Sequence, residues 1–415
     1  MNYLFIHQNF PAQFKHLAPA LARQGHKVVA LTAKRGGGTL PRSWQGVDLV
    51  SYEAAGLNGR PVHPWLSSLA AQTVRGEACF HAATALRHAG FVPDAVIAHP
   101  GWGESLFIKD VWPQTRLGLY SEFFYLAEGA DTGFDPEFSQ ADALAPCRIR
   151  MKNANNLLHF EMADAALSPT QWQASTFPPA FRSRISVVHD GIDTQAIAPK
   201  PHVRMVLNDR LALTRADEVI TFVNRNLEPY RGFHVFMRAL PELLRRRPRA
   251  RVMVVGGDEV SYGAPPPGGQ RWRDVLSAEV RSEIPASDWQ RVHFLGRLPY
   301  PTFIELLQLS TVHVYLTYPF VLSWSLLEAM SAGAAVVASH TAPVQEVIRH
   351  GETGRLVDFF DRTALVNEVC ALLDDPQARQ ALGEAARRFV RQQYDLHTVC
   401  LPAQVAWVQR LREGT

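Results

Sequence analysis

Residues Tyr318–Gly333 read YPFVLSWSLLEAMSAG, and the pattern around them decides the fold. Upstream, Val312, Val314 and Leu316 alternate as one face of a strand. Downstream, Ala334–Ser339 (AAVVAS) is an unbroken apolar run, the pattern of a strand covered on both faces. Strand, tight loop, helix and strand make a βαβ unit of an open parallel sheet. In such sheets ligands bind beyond the carboxyl ends of the strands, against helix N-termini. Ser323, Trp324 and Ser325 open the helix, where backbone N–H groups lack intrahelical acceptors and suit an anion. Glu328 lies one turn further in. By local chemistry alone, Ser325-Leu-Leu-Glu328 also fits a capping box, with the carboxylate bonding back to the cap.

Working outward, 415 residues with 47% hydrophobic content imply two or three full cores. Lys and Arg number 17 against 16 Asp and Glu through residue 200, and 25 against 23 beyond it. Neither half is a polyelectrolyte, which argues against a nucleic-acid partner. Cys79, Cys147, Cys370 and Cys400 are scattered without metal or redox spacing, as in a reduced cytoplasmic protein. MNYLFIHQNF lacks the leader of a signal peptide, and no apolar run approaches the roughly 18 residues of a membrane span.

The first half alternates strand and helix patterns. Tyr3–Ile6 and Lys27–Thr32 read as strands around a helix with Phe14, Leu17, Ala18 and Leu21 on one face, closed by Gly25. The intervening loop offers Asn9 and Gln13 as hydrogen-bonding groups. Arg35–Gly38 reads as a surface loop. Ser67–Ala89 is helical, and Asp94–Ala98 is a strand that runs into His99-Pro-Gly-Trp-Gly-Glu104. His99 at a strand's carboxyl end suits a sugar hydroxyl or a phosphate oxygen, or simply a loop. Trp102 suits a sugar ring or packing. Arg116–Ser121 is a strand leading to Glu122, a candidate acceptor contact or a solvated carboxylate. Leu126–Leu144, with Asp131, Asp135, Glu137 and Asp142, is long enough to be an acceptor lid. Pro146–Met162 reads as one helix, Ala165–Ser168 and Ile185–His189 as strands, and Ala196–Val203 as a proline-rich linker. A second half restarts with strand Glu218–Val223, then Arg225 to Arg231-Gly232 and a helix.

SLLEAMSAG and the following APVQEVIRHGETGRLV (Ala342–Val357) resemble the donor-binding half of retaining GT-B glycosyltransferases. That family includes sucrose synthases and bacterial mannosyltransferases. It carries Glu, seven residues, then Glu. The second, which binds the nucleotide ribose, falls on Glu328. The first, which touches the donor sugar, falls on Phe320, whose ring cannot accept a hydrogen bond and should pack. The N–H groups of Val321 and Leu322, with His99, are then the expected sugar contacts. The family's two diphosphate-gripping cations fall on Arg225 and Arg231, with a spacing often one residue shorter than here. Gly256-Gly257 matches its glycine turn, and Arg297-Leu298 lies where its backbone meets the base. In the first half HPGWGE and Asp190-Gly-Ile-Asp193 resemble family loops, and His99 is implied at the donor sugar.

The resemblance implies a GT-B fold, two Rossmann-like α/β domains facing each other across a cleft. The expected division is 1–200 on the acceptor side and 201–392 for nucleotide sugar, with 393–415 crossing back to the first domain. It implies transfer of a hexose from a nucleotide diphosphate sugar to a glycan, lipid-linked or small-molecule acceptor, with retention of configuration. His99, Arg225, Arg231 and Glu328 would carry it, without cofactor or metal. The expected location is cytoplasmic, with at most a peripheral contact to the inner face of the membrane. Two other readings stand beside this one: a nucleotide-sugar epimerase on the same fold, and a non-catalytic sugar-nucleotide-binding subunit.

Overall fold

A computed structural model of the chain describes residues 1–34, 41–57, 59, 61–139, 142–208 and 211–414; the Arg35–Gly38 loop lies outside them. Its residues divide into two units. Met1–Gly133, Gln140–Gly191 and Leu396–Thr415 form the first, and Phe134–Ser139 with Ile192–Asp395 form the second.

The first unit's strands are β1 (Asn2–Ile6), β2 (Lys27–Ala33), β3 (Ser43–Trp44), β4 (Val47–Tyr52), β5 (Ala95–Ala98), β6 (Arg116–Tyr120), β7 (Ala165–Ser168) and β8 (Ile185–Val187). They run in the order β3-β4-β2-β1-β5-β6-β7-β8, all pairs parallel except β3 with β4. The period of two in β1 explains why both faces are covered. Leu4 and Ile6 join one core cluster with Val96 and Ala98, while Tyr3 and Phe5 join another with Ala95 and Ile97. The second cluster takes in Trp407, Val408 and Leu411 of the C-terminal helix Leu401–Glu413. Gly118 on β6 makes room for that helix, since a Cβ there would come within 2.5 Å of both Trp407 and Leu411.

The second unit contains the antiparallel pair β9 (Arg204–Asn208) and β10 (Leu211–Thr214). Its main sheet is built from β11 (Val219–Asn226), β12 (Arg251–Gly257), β13 (Val292–Gly296), β14 (Val312–Tyr315), β15 (Ala335–Ser339) and β16 (Arg355–Val357). The order is β13-β12-β11-β14-β15-β16, parallel throughout. Phe222, Val312 and Val314 face one core, where Phe222 stacks on Phe236 with ring centroids 4.4 Å apart. Tyr315, Val336 and Ala338 face the other, with Leu326, Leu327 and Met330 of the helix Trp324–Ser331. Each such large apolar side chain contributes about 1.5–3 kcal/mol on full burial.

The structure departs from the sequence reading in four places. The helix expected over 146–162 is two, Ala145–Lys152 and Ala154–Met162. Asn153 between them is buried and bonds the main chain of Tyr125 in both directions, at 3.0 and 2.7 Å. Residues 196–203 are not a linker: Ile197 and Val203 are buried in the second unit's core, and the division between units falls at Gly191/Ile192. Asp395/Leu396 is the return point. Phe134–Ser139, expected within an acceptor lid, belongs to the second unit. Among the described residues no helix is long and apolar enough to cross a membrane.

Candidate functional site

The strand order of the second unit reverses at β11, which has β12 on one side and β14 on the other. Loops leaving the carboxyl ends of β11 and β14 meet at this switch point. Their contact requires Gly232, which sits at φ +70°, where a Cβ would lie 2.3 Å from that of Leu316. Arg231, just before it, is 6% exposed. Its Nη1 donates to Thr317 Oγ1 at 2.8 Å and to the Val321 carbonyl at 2.9 Å. The guanidinium lies 5.1 Å from the centre of the Tyr262 ring and 5.7 Å from that of Phe320. Burial alone would lower its pKa; Tyr315, Tyr262 and Tyr230 outweigh that and keep it charged.

Glu228 builds the wall on which this cation rests. It is fully buried, and its carboxylate accepts the N–H groups of Ser261, Tyr262 and Gly263 at 3.0–3.1 Å. That holds the main chain that carries the partly exposed Tyr262 ring. Phe320, 5% exposed, packs its ring against Tyr230 and Tyr262, with centroids 5.1 and 5.0 Å away.

Glu328 is also 5% exposed and accepts the Tyr300 hydroxyl at 2.7 Å. The capping-box alternative does not describe it. Ser323 is the N-cap, with its Oγ accepting the Ser325 N–H at 3.3 Å, so Glu328 lies beyond the third helical position. The Ser323 N–H donates to the Tyr315 hydroxyl at 3.0 Å. Two of the three N–H groups expected to face an anion, those of Ser323 and Ser325, are thus engaged within the protein.

The two arginines differ in placement. Strand alternation leaves Arg225 exposed and turns Asn226 inward. Asn226 donates to Ser261 Oγ at 2.7 Å and accepts from Arg297 Nη2 at 3.0 Å. Arg297 also pairs with Glu259 at 2.6 Å. Gly257 is needed beneath them, because a Cβ there would sit 2.4 Å from Asn226 Oδ1 and 2.6 Å from Arg297 Nε. Gly256 meets Leu227, and Leu298 packs against the core.

The first unit reverses at β1, between β2 and β5. His7 follows β1 and His99 follows β5, with ring centroids 5.2 Å apart. Trp102 lies 4.9 Å from His7 and 4.7 Å from His99, so its ring packs on imidazoles. Tyr120 also stacks on His99, with centroids 5.5 Å apart. His7 Nε2 is bonded to Gln13 Oε1 at 2.9 Å, and its Nδ1 accepts the Asn9 N–H at 2.9 Å. Gln13 in turn donates to Glu122 at 3.4 Å. All four expected acceptor-side residues, Asn9, Gln13, Trp102 and Glu122, therefore converge with His99 around His7. His99 Nδ1 accepts the Gly101 N–H at 3.1 Å; its Nε2 is buried, has no hydrogen-bond partner among the described residues and lies 3.8 Å from Glu122. Asn155 Oδ1 is likewise buried without a partner among the described residues. Both residues line a cavity of about 490 Å³ together with Gln72, Arg75, Glu122 and Lys152.

Residues 24–197 match a family model described as "Glycosyl transferase family 4 group", and residues 208–389 match one described as "Glycosyl transferases group 1". The chain belongs to the GT-B glycosyltransferases. One curated relative is the GDP-mannose-dependent alpha-(1-6)-phosphatidylinositol monomannoside mannosyltransferase of Mycolicibacterium smegmatis. It is 28% identical over 57% of this chain and 60% of its own length. Another is the D-inositol 3-phosphate glycosyltransferase of Corynebacterium efficiens, 28% identical over 50% of this chain and 47% of its own. The chain thus spans about half the length of the curated relatives it matches. Among solved structures, sucrose-phosphate synthase from Thermosynechococcus elongatus superposes with TM-score 0.75 at 18% identity, covering 99% of this chain and 98% of the other. The Anabaena protein HepE, in complex with UDP and glucose, gives 0.68 at 17% identity, covering 99% of each. These likenesses show the GT-B fold.

Four residues of this GT-B chain escape a reading of sequence alone: His7, Glu228, Tyr262 and Tyr300. His7 had a usable signal, since it follows four apolar strand residues as His99 does. Glu228 and Tyr262 meet over 34 positions, and Tyr300 meets Glu328 over 28, so no local pattern marks them. One further group has metal-ligand types in reach of one another: Asp135, Glu137 and His234, with one ligand atom of each within 4.8 Å of the others. Its oxygens are already bonded, to the Tyr318 hydroxyl, the Glu137 N–H and Arg238.

Proposed function

We propose that this GT-B chain transfers a hexose from a nucleotide diphosphate sugar to an acceptor hydroxyl, with retention of anomeric configuration and without a metal ion. Arg231 carries the reading. Its buried guanidinium is bonded to neutral oxygens and faces aromatic rings. Among the described residues no carboxylate pairs with it; such a buried charge costs several kcal/mol, and a departing diphosphate supplies the counter-charge. A fixed cation placed where negative charge develops stabilises the transition state. Glu328, oriented by Tyr300, suits the ribose hydroxyls. The mycobacterial relative uses GDP-mannose and HepE binds UDP, both compatible with a diphosphate donor. In the first unit, His99 Nε2, which the family resemblance puts at the donor sugar, and Asn155 Oδ1 have no hydrogen-bond partner among the described residues and offer that capacity to sugar hydroxyls. The acceptor proton would pass to the leaving phosphate, so no separate base is required.

A second reading, a nucleotide-sugar-binding subunit without catalysis, draws support from Phe320, which packs where the family has a sugar-binding carboxylate. Isothermal titration of the full chain with UDP, GDP, UDP-glucose and GDP-mannose tests what both readings share. Micromolar binding of at least one is expected, and absence of binding to all four would exclude both.

A further inference from the structure

The hexapeptide Phe134–Ser139 is flanked in sequence by first-unit residues yet belongs to the second unit. Two aromatic and two acidic side chains seat it there. Phe134 packs on Tyr318, Phe359 and Phe360, with centroids 5.1–5.3 Å away. Phe138 packs on His234 and Trp272 at 5.0 and 5.3 Å. Glu137 grips Arg238 through two parallel bonds of 2.6 and 2.7 Å. Asp135 is 1% exposed. Its Oδ2 accepts the Tyr318 hydroxyl at 2.7 Å and lies 3.1 Å from His234 Nε2, and its Oδ1 accepts the Glu137 N–H at 3.0 Å. Burial alone would raise the Asp135 pKa, but the bonds from His234 and Tyr318 hold it below the ordinary carboxylate range.

These anchors fall on the two segments that hold Arg231. His234 and Arg238 occupy one face of the helix Phe233–Arg246, which starts two residues after Arg231. Tyr318 lies between Thr317 and Val321, the two residues whose oxygens accept from Arg231. The Tyr318 N–H also donates to the carbonyl of Tyr230, beside Arg231, at 3.1 Å, and the two tyrosine rings are 4.8 Å apart. A shift of Tyr318 therefore moves both acceptors of the buried cation together.

We infer that Phe134–Ser139 is a built-in clip for the donor loop, and that Asp135 is a positioning residue acting through Tyr318 on Arg231. The inference rests on the donor-site reading above. Removal of the clip's central bond leaves every charged group of the proposed donor site in place and changes only how firmly the loop is held. Tyr318→Phe deletes one hydroxyl, and Asp135→Asn keeps the shape while removing the charge.

The test pairs two measurements on the full chain. Steady-state rates with UDP-glucose and GDP-mannose as donors should fall about ten- to hundredfold in kcat/KM for both variants, the effect of misplacing a binding group by a fraction of an ångström to an ångström. Backbone amide exchange, followed by mass spectrometry, should accelerate over residues 316–323 and 228–232 and stay as in the wild type elsewhere. Unchanged exchange in those segments overturns the clip, whatever the donor kinetics show. Acceleration spread evenly over the second unit also overturns it, because that marks loss of stability alone. Wild-type protein that ignores every donor, combined with exchange confined to the two loops, sinks the functional reading while leaving the mechanical coupling supported. Local exchange with unaltered donor kinetics in an active wild type overturns the positioning role.

Discussion

Replacing Arg231 by Met removes a buried positive charge while keeping an unbranched side chain of moderate length. Two opposing effects act on the ligand-free protein. Thr317 Oγ1 and the Val321 carbonyl lose their donor, at about 1–3 kcal/mol for each oxygen left unsatisfied. The protein is also relieved of a desolvated guanidinium, and exchanging buried charge for apolar packing is commonly neutral or favourable by about 1–4 kcal/mol. The net change in unfolding free energy without ligand should stay within about 2 kcal/mol. Nucleotide binding has no such compensation. A charge-assisted contact to the diphosphate, worth about 1.5–3 kcal/mol, corresponds to roughly 10- to 150-fold in affinity. Isothermal titration with UDP and GDP, beside urea melts of both proteins, measures the two effects separately. A variant that binds the preferred nucleotide as tightly as the wild type would refute the assignment. A ligand-free variant that has lost more than about 4 kcal/mol would show that Arg231 serves the fold.

Three further outcomes are expected. Glu328→Gln should weaken nucleotide binding about tenfold in the same titration, roughly one charge-assisted bond's worth, with a nearly unchanged melting temperature, because the side chain does not cap the helix. Donors differing only at the 3- or 4-hydroxyl of the hexose should be discriminated far less than the ~10⁴-fold a polar site achieves, since the Phe320 ring offers those hydroxyls no acceptor; competition kinetics with such pairs reads this directly. Acid should destabilise the protein below about pH 6.5. Burial lowers His159 to about 4, and His189 and His313 to about 3, so each stays neutral in the native state while the unfolded chain protonates. Their stabilisation is complete above pH 6.5 and is lost as pH falls toward their native values, at about 2 kcal/mol each by pH 5. Urea melts between pH 8 and 5 check the slope, and a flat profile would contradict it.

How much was legible depended on whether the decisive contacts are local. The βαβ unit around Tyr318–Gly333 is written in adjacent residues, alternation in β14 and a continuous apolar run in β15, so both strands and the helix between them are found from sequence. β3 is only two residues long, and β4 carries Asp48 and Ser51 among its apolar positions, so neither has a clean period. β9 and β10 follow a proline-rich stretch whose burial comes from distant partners such as Gln308, which reaches the Ala198 carbonyl. Asn153 ends a helix because a residue 28 positions away satisfies its amide, which no helical pattern records. At the site, His99 is marked by its place at a strand's carboxyl end, whereas Arg231 and Glu328 are picked out by the family resemblance and not by local pattern. Whether Arg225 or Asn226 turns inward depends on strand register, which the residues of this loop do not fix by themselves. Asp135 read as part of a polar loop, because its meaning lies in Tyr318 and His234, about 100 or more positions away.

The central claim, that this chain moves a sugar from a nucleotide diphosphate, is most directly tested by following wild-type protein with UDP-glucose and GDP-mannose in the presence of a pooled set of sugar and cyclitol acceptors. Proton NMR reads both the nucleoside diphosphate released and the anomeric configuration of the product. The expected result is stoichiometric release and transfer with an α-configured product from these α-configured donors. Tight binding of the donor with no release would leave a binding subunit, and a β-configured product would contradict retention.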